Sequence, residues 1–231
     1  MIIGFGMFSY IHIPKIQRSI KHLLYTVNNI IFKIPEKEIA VKLNVPYHRQ
    51  EHALSCEVAA LKMALNFYKI KISESELLKM LPYDTELSRS KDNIWGDPDL
   101  GFVGNIDGTI PNQGYGVYEQ PIADIASKFR QSKALNNVKI SDIITEVANK
   151  HTVIVWGTLA SGKDISWKTQ GGKKVKAIFG EHTRVIIGFS GTVSNPKYII
   201  LHDPIYGTIT MSKEKFLKDW ALLSNKAVVV Y

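Results

Sequence analysis

Apolar residues recur along the chain with two different periods, and the change between them divides it. Ile16, Ile20, Leu23, Leu24, Val27, Ile30, Ile31 and Ile34 fall at spacings of three and four, the stripe of an amphipathic helix. Pro35 and the charged run Glu36–Lys37–Glu38 end that stripe. A boundary is therefore expected near residue 40, with an appendage over 1–40 and a folded domain over 41–231. A second helical pattern covers Cys56–Tyr68, with Ala59, Ala60, Met63, Ala64 and Phe67 on one face. A third starts at Ser73, where Glu76 completes a capping box. Helical patterns return at 119–130 and at 141–150, the latter with Ser141 as its cap, and again at 212–222 behind Ser212. From residue 152 the period shortens. Runs 152–159, 183–190, 197–202 and 227–231 are rich in Val and Ile and bounded by Gly, Asn and Pro, which predicts strands. The turn 191–196 joins two of them as an antiparallel pair. Helices first and an antiparallel sheet second is the order of an α+β domain.

Between the helices lies a stretch, 91–118, that holds six of the 16 glycines together with Trp95, Phe102, Tyr115 and Tyr118. Its aromatics predict an ordered loop, since disordered segments are poor in them. Composition removes whole classes of protein. With 45% hydrophobic and 22% charged residues, the chain is neither disordered nor fibrous nor a polytopic membrane protein. The net charge of +8 is uneven, because residues 1–45 carry six cations against two anions. The remainder has no stripe of Lys and Arg with stacking aromatics, so no nucleic-acid partner is expected. The basic helix suits either peripheral contact of residues 1–34 with an anionic membrane surface or docking on the domain. Residues 1–14 are too short an apolar run to span a bilayer and lack the cationic start of a secretory signal. The compartment stays open, the cytoplasm or a membrane surface being most compatible, and so does the oligomeric state.

Two motifs mislead. Gly157–Lys163 matches most of a phosphate-binding loop, but Asp164 stands where a magnesium-binding hydroxyl is needed and no helical period follows, so a surface turn is expected. Asp92, Asp97, Asp99 and Asp107 lack the order of a calcium loop. No metal and no cofactor are expected.

Cys56 is the single cysteine, so it closes no intrachain disulfide, which leaves burial as a small hydrophobe or chemistry; it opens a helix whose dipole favours a thiolate. Gln50, six residues upstream, is in reach to share an oxyanion with the Cys56 backbone N–H. His182 heads the strand 183–190 and Asp203 ends the strand 197–202, so pairing through the 191–196 turn sets them side by side. Asp203 then orients the imidazole. His48, His52 and His202 are weaker candidates; strand alternation turns His202 away from Asp203.

Val45–Gln50 (VPYHRQ) and Leu54–Ala60 (LSCEVAA) resemble the opening of the C39-like peptidases, the bacteriocin-processing group. Trp95–Pro98 (WGDP), Phe102–Gly104 (FVG), Gly114–Tyr118 (GYGVY), His182 before Val185–Phe189, and Asp203–Pro204 with Gly207 extend the resemblance over 43–231, in particular to stand-alone members. With no transmembrane or ATPase pattern among these 231 residues, a leader peptidase fused to an exporter is not expected. The resemblance implies a papain-like fold, N-terminal helices packed on a C-terminal antiparallel sheet. It also implies a cysteine peptidase acting on a peptide or protein through an acyl-enzyme, with Cys56 as nucleophile, His182 as general base and acid, Asp203 as orienter and Gln50 in the oxyanion hole. Trp95, Tyr115 and Tyr118 are expected to contact substrate from the glycine-rich loop. Glu57 departs from the glycine usual there in transporter-linked members, and its carboxylate opposes thiolate formation. A catalytically inactive peptide-binding module of the same fold, or an acyl or amide transferase using the same cysteine, are the alternatives.

Overall fold

A computed structural model describes residues 39–159 and 162–231. The amphipathic helix expected over 16–34 and its membrane contact lie outside them. Around the longest strand, β8 (Glu181–Gly191), the main sheet is assembled. Ten of its eleven residues are buried, as Val185, Ile186, Ile187 and Phe189 require. One edge of β8 pairs with β9 (Pro196–Asp203) through the predicted turn. Its other edge is shared, β5 (Thr152–Thr158) covering residues 181–186 and β1 (Ile39–Lys42) covering 188–190. β10 (Gly207–Ser212) extends the sheet beyond β9, and β11 (Ala227–Val230) and β4 (Ser132–Leu135) extend it beyond β5. Every pairing in it is antiparallel.

α1 (Cys56–Phe67) packs on this sheet. Its alanines allow close approach, and Val58, Leu61 and Leu65 are buried along with Ala59, Ala60, Met63 and Ala64, so the helix is enclosed on more than the one expected face. α2 (Glu74–Leu78) starts with the predicted capping box: Glu76 N–H donates to Ser73 Oγ at 3.1 Å and Ser73 N–H to Glu76 Oε2 at 2.9 Å. α3 (Glu119–Ser127) lies against β4 and β11. α4 (Ile140–Ala148) begins before Ser141, because the Asp142 carboxylate accepts the Lys139 N–H at 3.1 Å and so moves the cap two residues upstream. α5 (Lys213–Ala221) is capped by Ser212 as expected.

The glycine-rich segment is ordered. It contributes β3 (Phe102–Val103), parallel to β2 (Tyr83–Thr85). The region after the false phosphate loop is a hairpin of β6 (Asp164–Lys168) and β7 (Lys174–Ile178), whose short alternation escaped the sequence reading. Trp167 on β6 stacks edge-on with both Trp95 and Tyr115 and anchors the hairpin to the loop.

Candidate active site

Cys56 is the first residue of α1 and is 5% exposed. The loop before it is tied down by a carboxylate from α2. Glu74, fully buried, accepts from Ser55 Oγ, from the Glu51 N–H at 3.1 Å and from His48 Nε2 at 2.7 Å. The Cys56 thiol donates to Glu57 Oε2 at 3.2 Å. Glu57 Oε1 accepts the Val117 N–H at 2.7 Å, so this carboxyl bridges the helix start and the glycine-rich segment. Glu181 brings a second buried carboxyl, and one ligating atom from each of Cys56, Glu57 and Glu181 lies within 4.8 Å of the others. Gly116 (φ 147°) makes room: a Cβ there would sit 2.5 Å from both Glu181 Oε2 and Glu57 Oε1.

Electrostatically the thiol is held in its neutral form. Burial pushes its pKa well up, and Glu57 and Glu181 push it further against the opposing hydrogen bonds from Thr183. Burial likewise raises Glu57 to about 7, and raises Glu181, which also feels Glu57.

His182 and Asp203 meet at the ends of β8 and β9, with Nε2 3.0 Å from Oδ2. That contact falls outside hydrogen-bonding geometry, and the same oxygen accepts from Arg184 Nε at 2.8 Å. Arg184 also donates to Asp219 Oδ2 at 3.0 Å and to the Thr158 carbonyl at 3.1 Å. Asp203 Oδ1 accepts the N–H groups of Ile205 and Tyr206 at 2.8 and 3.1 Å. Burial alone would raise the Asp203 carboxyl; His182, Arg184 and Ile205 outweigh it and hold the group below the ordinary carboxylate range. Burial lowers the His182 imidazole, and Asp203 offsets only part of that. At neutral pH the pair is therefore a neutral imidazole beside an ionised carboxylate.

Among the described residues no hydrogen bond joins Cys56 to His182. The alternation of β8 accounts for this. Glu181 and Thr183 share the face that meets Cys56, whereas His182 and Arg184 share the face toward Asp203 and Asp219. Gln50 is engaged too: both protons of its amide go to loop carbonyls, His52 at 2.8 Å and Ala53 at 3.0 Å, and its Oε1 is buried without a partner. The three aromatics expected at the substrate are in the core instead. Trp95, Tyr115 and Tyr118 are 4%, 1% and 6% exposed. Trp95 donates to the Leu87 carbonyl, and the Tyr115 hydroxyl, which accepts the Ile178 N–H, lies 3.1 Å from that of Tyr118. Their burial follows from the β6–β7 hairpin, which covers the loop.

Glu181, Thr183, Arg184, Asp219 and Glu74 escaped the sequence reading. The first three were accessible in principle, since residues one and two positions from His182 on a strand divide between its two faces.

A family model described as the Peptidase_C39 like family matches residues 42–228. The chain belongs to that family. Its matched span holds Cys56, His182 and Asp203 and every described element from α1 to β11 except the last residues of the latter. Among solved structures, this C39-like chain superposes with a TM-score of 0.70 on a Bacillus anthracis protein provisionally classed as a C39-like peptidase. The two are 26% identical over 83% of this chain and 96% of the other. Two further matches have lower scores. One, at TM-score 0.47 and 15% identity, is the peptidase domain of Streptococcus ComA, a bi-functional ABC transporter, covering 81% of this chain and 98% of that one. The other, at 0.44 and 16%, is a double glycine motif protease from an AMS/PCAT transporter in complex with the leader peptide, covering 83% and 93%. No curated protein matches the chain. Among the described residues, no helix is long and apolar enough to cross a membrane.

Proposed function

We propose that this C39-like protein is a cysteine peptidase that cleaves a peptide or protein substrate through a Cys56 acyl-enzyme. The observation that carries the reading is the meeting of His182 and Asp203 at 3.0 Å in a chain of this family whose one cysteine opens the buried helix α1. Cys56 Sγ attacks the scissile carbonyl, the sulfur forming the new bond as its proton leaves. His182 takes that proton and returns it to the departing amine, and a water activated by the same imidazole then releases the acyl group. Asp203, held ionised, stabilises the imidazolium formed on the way. Because the thiol is hydrogen-bonded to Glu57 at rest, the enzyme starts from a neutral thiol rather than a thiolate–imidazolium pair. Engagement of His182 then requires the start of β8, next to Gly180 (φ 81°), to re-aim the imidazole toward the sulfur. Gln50 serves as oxyanion donor only after its amide leaves the His52 and Ala53 carbonyls.

A second reading is favoured by the separate partners of thiol and imidazole: a peptide-binding module of the same fold without hydrolysis. Alkylation separates the two. If His182 activates the sulfur, iodoacetamide modifies Cys56 at pH 7 at least tenfold faster in the wild type than in His182→Ala, within the range general-base assistance supplies. Equal rates in the two proteins refute the peptidase reading and leave the binding module.

A further inference from the structure

Among the described residues two groups of side chains bring three ligating atoms together, and they differ in what balances their charge. His48, Glu51 and Glu74 form one. There Lys62 Nζ lies 3.4 Å from His48 Nε2 and 3.6 Å from Glu51 Oε1, so a cation of the chain already occupies the cluster. Cys56, Glu57 and Glu181 form the other. Among the described residues neither Glu57 nor Glu181 makes an ion pair with a lysine or arginine, and all three side chains are more than nine-tenths buried.

This second cluster also contains an oxygen without a partner. Glu181 Oε1 is buried and lacks any hydrogen bond, an expensive condition unless something fills the space it faces. Glu57 is already oriented, because the Val117 N–H holds Oε1 and leaves Oε2 turned to the sulfur. An outer hydrogen bond that fixes a ligand in this way is typical of metal centres.

We propose that Cys56, Glu57 and Glu181 form a binding site for a divalent cation of the Zn2+ type. One sulfur and two carboxylate oxygens suit a borderline-soft ion better than Mg2+ or Ca2+, which take oxygen alone. A tetrahedral ion with bonds of about 2.0–2.3 Å sets its ligand atoms about 3.3–3.7 Å apart. The three atoms, all within 4.8 Å of one another, reach that range with side-chain shifts of about 1 Å. Thr183 Oγ1 or a water completes the fourth position. Binding forms one S–metal and two O–metal bonds. The thiol proton, with any proton held by the carboxyls, passes to solvent, and no electron is transferred. A metal seated there occupies the sulfur and blocks it as a nucleophile, so the site would silence Cys56. The inference does not depend on the peptidase reading, since it needs only the geometry of the three ligands.

The test uses the full chain stripped with a chelator and titrated with Co2+ as a spectroscopic probe, followed by Zn2+. The expected result is a near-ultraviolet thiolate-to-Co2+ charge-transfer band that saturates at one equivalent and is displaced by Zn2+. Glu181→Gln weakens Co2+ binding at least tenfold, whereas His48→Gln leaves it unchanged. Zn2+ also protects Cys56 from iodoacetamide in the wild type. If Glu181→Gln loses its far-ultraviolet circular dichroism, Glu57→Gln takes its place with the same expectation. The absence of the band in folded wild-type protein overturns the proposal. So does a band of undiminished affinity in the folded glutamine variant, or binding that disappears with His48→Gln. Failure of His182→Ala to slow alkylation of the metal-free protein bears on the peptidase reading alone.

Discussion

Replacing Glu74 tests whether a single buried carboxylate holds the loop that leads into Cys56. Its two oxygens accept from Ser55 Oγ, the Glu51 N–H and His48 Nε2, joining three points of the 48–55 loop to α2. Hydrogen bonds to a charged acceptor contribute about 1.5–3 kcal/mol each. Three on one carboxylate are not additive, and the leftover donors regain some water once the loop loosens. Glu74→Ala is therefore expected to cost about 3–5 kcal/mol, as for removal of one member of a buried charged pair. Glu74→Gln keeps the volume and one acceptor but sets an amide donor against the remaining donors, and about 1.5–3 kcal/mol is expected. Urea unfolding at constant m gives both values. The same loosening exposes the thiol, so native-state alkylation of Cys56 should accelerate in the order wild type, Glu74→Gln, Glu74→Ala. A cost below about 1 kcal/mol for Glu74→Ala, with an unchanged alkylation rate, would refute the reasoning, because it would mean that the loop is held by its other contacts.

Arg184→Met leaves Asp203 and Asp219 without the guanidinium they share, and a loss of about 3–5 kcal/mol in urea unfolding is expected; a loss under about 1 kcal/mol would mean that the two carboxylates are balanced from elsewhere. Removing that cation also raises the His182 pKa, which an NMR titration of the imidazole follows. Glu57→Gln should flatten the decline of Tm between pH 5 and 8. The folded-state pKa of Glu57, about 7, lies above its unfolded value, so its contribution is full below the unfolded pKa and is lost as pH rises through 7. Glu181 is shifted in the same direction and keeps part of the slope in the variant, while the lowered His182 acts oppositely in both proteins. Parallel Tm curves for wild type and Glu57→Gln would show that the carboxyl ionises freely in the folded state.

What could be read from the chain follows how local each feature is. The His182–Asp203 meeting needed only two apolar runs of similar length and the turn Gly191–Pro196 between them, and antiparallel register did the rest. The caps at Ser73 and Ser212 were equally local. At Ser141 the same rule failed by two residues because Asp142, at the third helical position, offered the stronger acceptor. The side of β8 that α1 would cover was not legible, for it depends on partners far apart in sequence. Val117 must reach Glu57 across 60 positions, and Gly116 must lack a side chain for the two carboxyls to close on it. That choice of face decides the chemistry of the resting state. A strand that puts Glu181 and Thr183 against the thiol turns His182, between them, to its other face and toward Asp203 on β9. Under the proposed mechanism, activation of Cys56 by His182 exchanges Glu181 and Thr183 for the imidazole as neighbours of the sulfur. Glu57 and Glu181, which favour the neutral thiol, set the cost of that exchange.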